Sequence, residues 1–180
     1  AAGLFVLITA AGLMTACAGR GALPRAQAQE QLDAQIQVPP GHVVALETTA
    51  VGLMRYECRL QTASASPGWE LASVHAELME RSGSPIVQYT APPPTWTHMD
   101  GSSVTGDLLA LAPRPGTTNL PYQLSRAMPA ETRGALHAIT YIQRIQTKGG
   151  QGMAQPCTPE RAGETLILPY QADYVFWKAG

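Results

Sequence analysis

From Val38 onward, proline and glycine interrupt the chain at short intervals; the full sequence holds 15 prolines and 17 glycines in 180 residues. Segments between these breaks alternate apolar with polar or are rich in β-branched residues, a pattern of strands joined by tight turns. The clearest is Met54-Arg55-Tyr56-Glu57-Cys58-Arg59-Leu60. Successive strand side chains point to opposite faces, so Met54, Tyr56, Cys58 and Leu60 are expected to face a core and the charged residues water. Val43 to Leu46, Ile86 to Tyr89, Thr165 to Leu168 and Tyr174 to Trp177 are shorter strands of the same kind. His137 to Ile145 is apolar on both faces and is expected in the middle of a sheet. Leu71 to Met79 is ambiguous, since Leu71, Val74, Leu78 and Met79 fit a helical stripe while Trp69-Glu70-Leu71 begins like a strand. Pro92-Pro93-Pro94 offers no backbone N–H to a ladder and must connect strands. The expected fold is all-β, a single antiparallel sandwich or barrel with room for one short helix and one disulfide.

The N-terminal part divides differently. Gly3 to Met14 is uncharged and apolar, too short to span a bilayer, which takes roughly 20 apolar residues, and suited to an export signal. The chain opens at Ala1 without the basic stretch that usually precedes such a run, so the precursor is expected to begin upstream. Two processing routes stay open. Leu13-Met14-Thr15-Ala16-Cys17 approximates a lipobox, which would make Cys17 an acylated N-terminus, and Ala26-Gln27-Ala28 is an A-x-A cleavage site. The expected divisions are an export signal over 1–17, an Ala- and Gln-rich tether over 18–37, and a β-rich domain over 38–180. The expected location is the periplasm or outer envelope as a lipoprotein, or the medium as a secreted protein.

Three cysteines are an odd number for an exported chain. With Cys17 lipidated or removed, Cys58 and Cys157 are left to pair in an oxidising compartment; two separate buried thiols are the alternative. Neither belongs to a C-x-x-C pair, so no metal site is expected of them. Charged residues make up 14% of the chain, against roughly 25% in ordinary soluble proteins, with a net charge of −1 and two lysines, Lys148 and Lys178. Nucleic acid is thereby not expected as a partner, because neutralising phosphates takes clustered cations. Contact with a membrane is expected only through a lipid anchor.

Chemistry-bearing residues concentrate in Trp96-Thr97-His98-Met99-Asp100-Gly101-Ser102. Asp-Gly favours a tight turn, and Asp100 can accept hydrogen bonds from amides two residues on. As a site the block would supply a carboxylate, the Ser102 hydroxyl, the His98 imidazole and the Trp96 ring as a stacking plate; as plain structure it is a hairpin turn. Tyr89 and Tyr122 are further aromatic candidates. Ser102 is in no G-x-S-x-G elbow. His75-Ala76-Glu77 with Pro156-Cys157 imitates a zinc deaminase signature, but Glu160 stands where its second cysteine belongs. His42, His75, His98 and His137 are scattered, and Glu47, Glu70, Asp100 and Asp173 could pair for glycoside hydrolysis only if the fold brings them together. No G-x-G-x-x-G lies between a strand and a helix, and no cofactor is expected. Arg144 and Asp173 are charges inside apolar runs, which suggests a buried ion pair between neighbouring strands.

In order along the chain, Tyr56-x-Cys58, Trp69-x-Leu71, Trp96-x-x-x-Asp100-Gly101-Ser102-x-Val104-x-Gly106, Leu120-Pro121-Tyr122, Ile139-x-Tyr141-Ile142-Gln143-Arg144-x-x-Thr147-x-Gly149-Gly150, Cys157 and Pro169-Tyr170-x-Ala172-Asp173-Tyr174-x-Phe176 carry a family resemblance. From Val38 to Lys178 the chain resembles a family of small secreted bacterial and fungal proteins known as a domain of unknown function. The resemblance implies an exported β-rich domain with paired cysteines and no established activity. The chain departs from that pattern at Gln88, where relatives carry histidine, and at Tyr122, where they often carry tryptophan. Three functions follow as expectations. The first is a non-enzymatic binding module for an envelope glycan, lipid or protein; the others are a secreted hydrolase with a carboxylate or Ser/His site and a purely structural surface protein.

Overall fold

The structure, a computed structural model, describes residues 29–61, 66–115, 118–129, 132–151 and 155–180. The export signal, Cys17 and the Ala26-Gln27-Ala28 site lie outside the described residues. Eight antiparallel strands close into one barrel in chain order: β1 (His42–Gln61), β2 (Ser66–Met79), β3 (Pro85–Ala91), β4 (Thr95–His98), β5 (Ser103–Ala112), β6 (Tyr122–Pro129), β7 (Ile139–Gly149) and β8 (Thr165–Ala179), with β8 pairing back onto β1. The fold is all-β, as expected. The ambiguous Leu71 to Met79 lies in β2, where alternation places Val74, Ala76 and Leu78 in the core. Pro92 to Pro94 makes the β3–β4 connection, with both the Ala91–Pro92 and Pro92–Pro93 peptides cis.

An eight-stranded barrel is just wide enough to be filled by side chains or to hold one small ligand. Here Trp96, Tyr89, Tyr174 and Phe176 fill the part of the interior near the β4–β5 turn, which we call the upper part. Tyr89 and Trp96 stack with ring centroids 4.7 Å apart, a contact worth about 0.5–1.5 kcal/mol beyond its buried area. Gly106 makes room for this group: a Cβ there would meet Trp96 Cζ3 at 2.8 Å.

A second apolar layer lies outside the wall. Ile36, with Leu32 and Val38, packs over Leu124, Ile145, Val175 and Trp177 on the outer faces of β6, β7 and β8. Gln143, fully buried on β7, donates to the Ile36 carbonyl at 2.6 Å and pairs with the Gln29 amide. The tether expected over 18–37 is therefore corrected across its described part: from Gln29 the chain is docked on the barrel, because β7 presents apolar side chains on both faces and needs a cover.

The alternation expected of Met54 to Leu60 holds through Cys58 and fails at Leu60, which is 65% exposed. β8 pairs with β1 only as far as Glu57, so Leu60 extends past the closed wall. Cys58 and Cys157 form the disulfide, with Cα atoms 5.4 Å apart. The loop carrying Cys157 is also held to β1 by Cys58 N–H donating to the Glu164 carbonyl and Gly163 N–H donating to the Cys58 carbonyl, each at 2.9 Å.

The ion pair expected between Arg144 and Asp173 does not form. Register places Arg144 opposite Tyr174, a core residue, and Asp173 opposite Ile145, which belongs to the outer layer. The two charges are on opposite faces of the sheet. Asp173 accepts a hydrogen bond from Thr49 Oγ1 at 2.9 Å on the outside, and Arg144 points into the barrel.

Candidate functional site

The β4–β5 turn is built around Asp100. Gly101 takes φ +86°, the left-handed conformation that glycine adopts at little cost. Asp100 Oδ1 accepts from the Ser102 N–H at 2.9 Å and the Ser102 hydroxyl at 2.6 Å, while Oδ2 accepts from the Ala135 N–H at 2.7 Å. Ser102 Oγ in turn accepts from the Leu136 N–H at 3.1 Å. His98 Nδ1 is 3.0 Å from Asp100 Oδ1. These bonds, the Ser102 hydroxyl first and the Ala135 amide next, hold the Asp100 carboxyl well below the usual carboxylate range.

The block thus clamps the β4–β5 turn to the loop before β7, whose Leu136 is buried in the core. A hydrolytic serine needs a free, accessible oxygen and a base taking its proton. Ser102 is fully buried, its proton is directed at Asp100, and His98 reaches Asp100 rather than the serine. The structure brings His98, Asp100 and Ser102 together, as an anchor for the fold.

The aromatic candidates do not form an exposed face, which corrects the expectation that Trp96 is a stacking plate. Trp96 is 1% exposed and Tyr89 is buried beside it. Tyr122 lies in the outer layer, with Arg114 hydrogen-bonded to its hydroxyl and over its ring at 4.6 Å from the centroid. The carboxylates are also apart: Glu47 and Asp173 are on the outer face of β1 and β8, Glu70 is opposite Glu57 toward the other end of β1, and Asp100 is in the β4–β5 turn. Among the described residues no three His, Cys, Asp or Glu side chains group as metal ligands. A shallow groove of about 310 Å³ on the outer face of β2, β3 and β4 is lined by Ile86, Gln88, Thr97, His98 and Met99.

The lower wall of the barrel carries a feature that single-strand patterns did not reveal. β3 pairs with β2 only from Val74 to Met79, and β4 pairs with β5 only from Ser103 to Thr105. Below the proline connector, no described strand lies between Ser66–Ser73 of β2 and Asp107–Ala112 of β5. On β5, Leu108 pairs with Ser125 and Leu111 with Gln123. Ser125 faces inward, since its Cβ is 3.4 Å from the position a Gly106 Cβ would take beside Trp96. Leu108 and Leu111 therefore lie on the inward face, yet they are 57% and 40% exposed.

One register row runs from this gap into the core: Leu111 on β5, Gln123 on β6, Arg144 on β7 and Tyr174 on β8. Arg144 is 8% exposed. One of its terminal nitrogens donates to the Pro121 carbonyl at 3.0 Å, and its Nε has no hydrogen-bond partner among the described residues. Among the described residues no carboxylate is paired with it. Its charge is felt by Tyr56, Tyr89 and Tyr170, whose hydroxyls burial nevertheless pushes above their usual range, so they stay protonated. The Tyr170 and Tyr174 hydroxyls are 3.4 Å apart. The Tyr56 O–H donates to the Gly150 carbonyl at 2.7 Å, and a lone guanidinium among neutral tyrosines makes this part of the interior cationic.

Residues 82–178, which run from just before β3 to nearly the end of β8, match the family model described as "Protein of unknown function (DUF3455)". The chain belongs to this family. The DUF3455 stretch contains the Asp100 clamp, the gap-lining leucines and Arg144, whereas β1 and β2 precede it. No curated protein and no solved structure matches the chain.

Proposed function

We propose that this DUF3455 protein is an exported, non-enzymatic binding module, and that it takes a small lipid-like molecule through the gap in the lower barrel wall. The observation that carries the proposal is the exposure of Leu108 and Leu111 on the face of β5 that elsewhere lines the core. Apolar side chains on an inward face lower the free energy when a ligand covers them, by about 25 cal/mol for each Å² removed from water. Of the glycan, lipid and protein partners the sequence leaves open, a lipid-like one fits best, because the aromatic that could have stacked on a sugar, Trp96, is buried. The disulfide is compatible with an oxidising, exported setting.

The test is a fluorescence titration of the full chain with N-phenylnaphthylamine, a neutral apolar probe. Saturable binding that weakens when Leu108 and Leu111 are both changed to serine is expected. Absence of binding, or binding unaffected by that double change, would contradict the proposal.

A further inference from the structure

We infer that the ligand carries an anionic head, and that Arg144 is the residue that receives it. The inference rests on the lipid-binding proposal and adds the chemistry of the ligand: a small amphiphilic carboxylate. Removing a charge from water is costly unless it is paired and hydrogen-bonded. Arg144 is buried, its Nε lacks a partner among the described residues, and Asp173, the acidic residue in the neighbouring apolar run, is on the other side of the sheet. A planar guanidinium is built to hold a carboxylate through two parallel hydrogen bonds, and Nε is one of the donors that such a fork uses. Gln123 lies between Arg144 and Leu111 in the register row, so a chain running outward from the guanidinium would leave the barrel over the exposed leucines.

The surroundings fit a carboxylate better than other charged ligands. Tyr56, Tyr89 and Tyr170 keep their protons and supply no negative charge, the Tyr56 O–H donating to the Gly150 carbonyl at 2.7 Å. A cationic ligand would meet Arg144 without a counter-charge. A divalent cation would find no group of carboxylates, histidines or cysteines among the described residues. The apolar border formed by Leu108 and Leu111 favours an acid with a hydrocarbon body over a small hydrophilic anion.

The experiment compares cis-parinaric acid with its methyl ester, titrated by fluorescence into the full chain and into Arg144→Met. The ester keeps the chain and loses the charge. The expected result is at least about tenfold tighter binding of the acid by the unchanged protein, the size of one lost charge-assisted hydrogen bond. Arg144→Met should bind acid and ester alike. Equal binding of both by the unchanged protein would overturn the anionic head while leaving the lipid-binding proposal intact. A preference for the acid that survives in Arg144→Met would overturn the assignment to Arg144. Failure to bind either compound would overturn both proposals. Should Arg144→Met not fold, Leu111→Glu, an exposed change at the border, supplies the same comparison: the repelled acid should lose at least about tenfold and the ester less, and equal losses would count against an anionic head.

Discussion

At the scale of single residues, Ser102 and Asp100 bind structure to structure. Changing Ser102 to alanine removes the donor to Asp100 and leaves the Leu136 N–H buried without an acceptor. An unsatisfied buried donor costs about 1–3 kcal/mol, so the urea midpoint of Ser102→Ala should fall accordingly; an unchanged midpoint would mean that the serine is not an anchor. Asp100 adds a pH dependence. Its folded carboxyl ionises at lower pH than the ordinary 3.8, so the stabilisation is fully present above that value and is lost as pH falls toward the depressed one. Thermal melts from neutral pH down to acid should show this loss, and Asp100→Asn should flatten it. Both residues were readable from the Trp96–Ser102 block, because a turn motif is local in sequence. Their role was not, since the Ala135 and Leu136 amides that complete the clamp come from a distant loop. Arg144 shows the opposite limit: its charge in an apolar run was visible, but which face it took depended on the bulges that shift register along β7.

At the scale of elements, period-two alternation made the strands readable where both neighbours exist, as at Met54 to Cys58 and Val74 to Leu78. It misled where a neighbour stops, as at Leu60, and it could not show that β3 and β4 are too short to complete the lower wall. The gap is a property of strand lengths on four segments together. β1 and β2 also approach closely: a Cβ on Gly52 would be 2.4 Å from Ala76 Cβ and 2.5 Å from the His75 carbonyl oxygen. Because a backbone atom cannot rotate away, Gly52→Ala should destabilise by about 2 kcal/mol, the middle of the range typical of overpacking, measured by chemical denaturation. Stability equal to the unchanged chain would show that the strands can separate at that point without cost.

At the scale of the whole molecule, the barrel is held from three directions. The aromatic group fills its upper interior, residues from Gln29 onward cover the outer faces of β6 to β8, and the disulfide ties the loop before β8 to β1. The bridged cysteines are 99 residues apart, for which loop-closure entropy gives about 4.7 kcal/mol as a model value. Changing Cys58 and Cys157 together to serine should therefore lower the unfolding free energy by several kcal/mol, and a loss under about 1 kcal/mol would show that the packed core alone fixes the loop. One measurement bears on the whole proposal at once: an amide NMR titration of the isotope-labelled full chain with cis-parinaric acid. The expected result is saturable shifts at Leu108, Leu111, Gln123 and Arg144. Shifts gathered instead at Ile86, His98 and Met99, around the outer groove, or no shifts at all, would contradict binding through the gap.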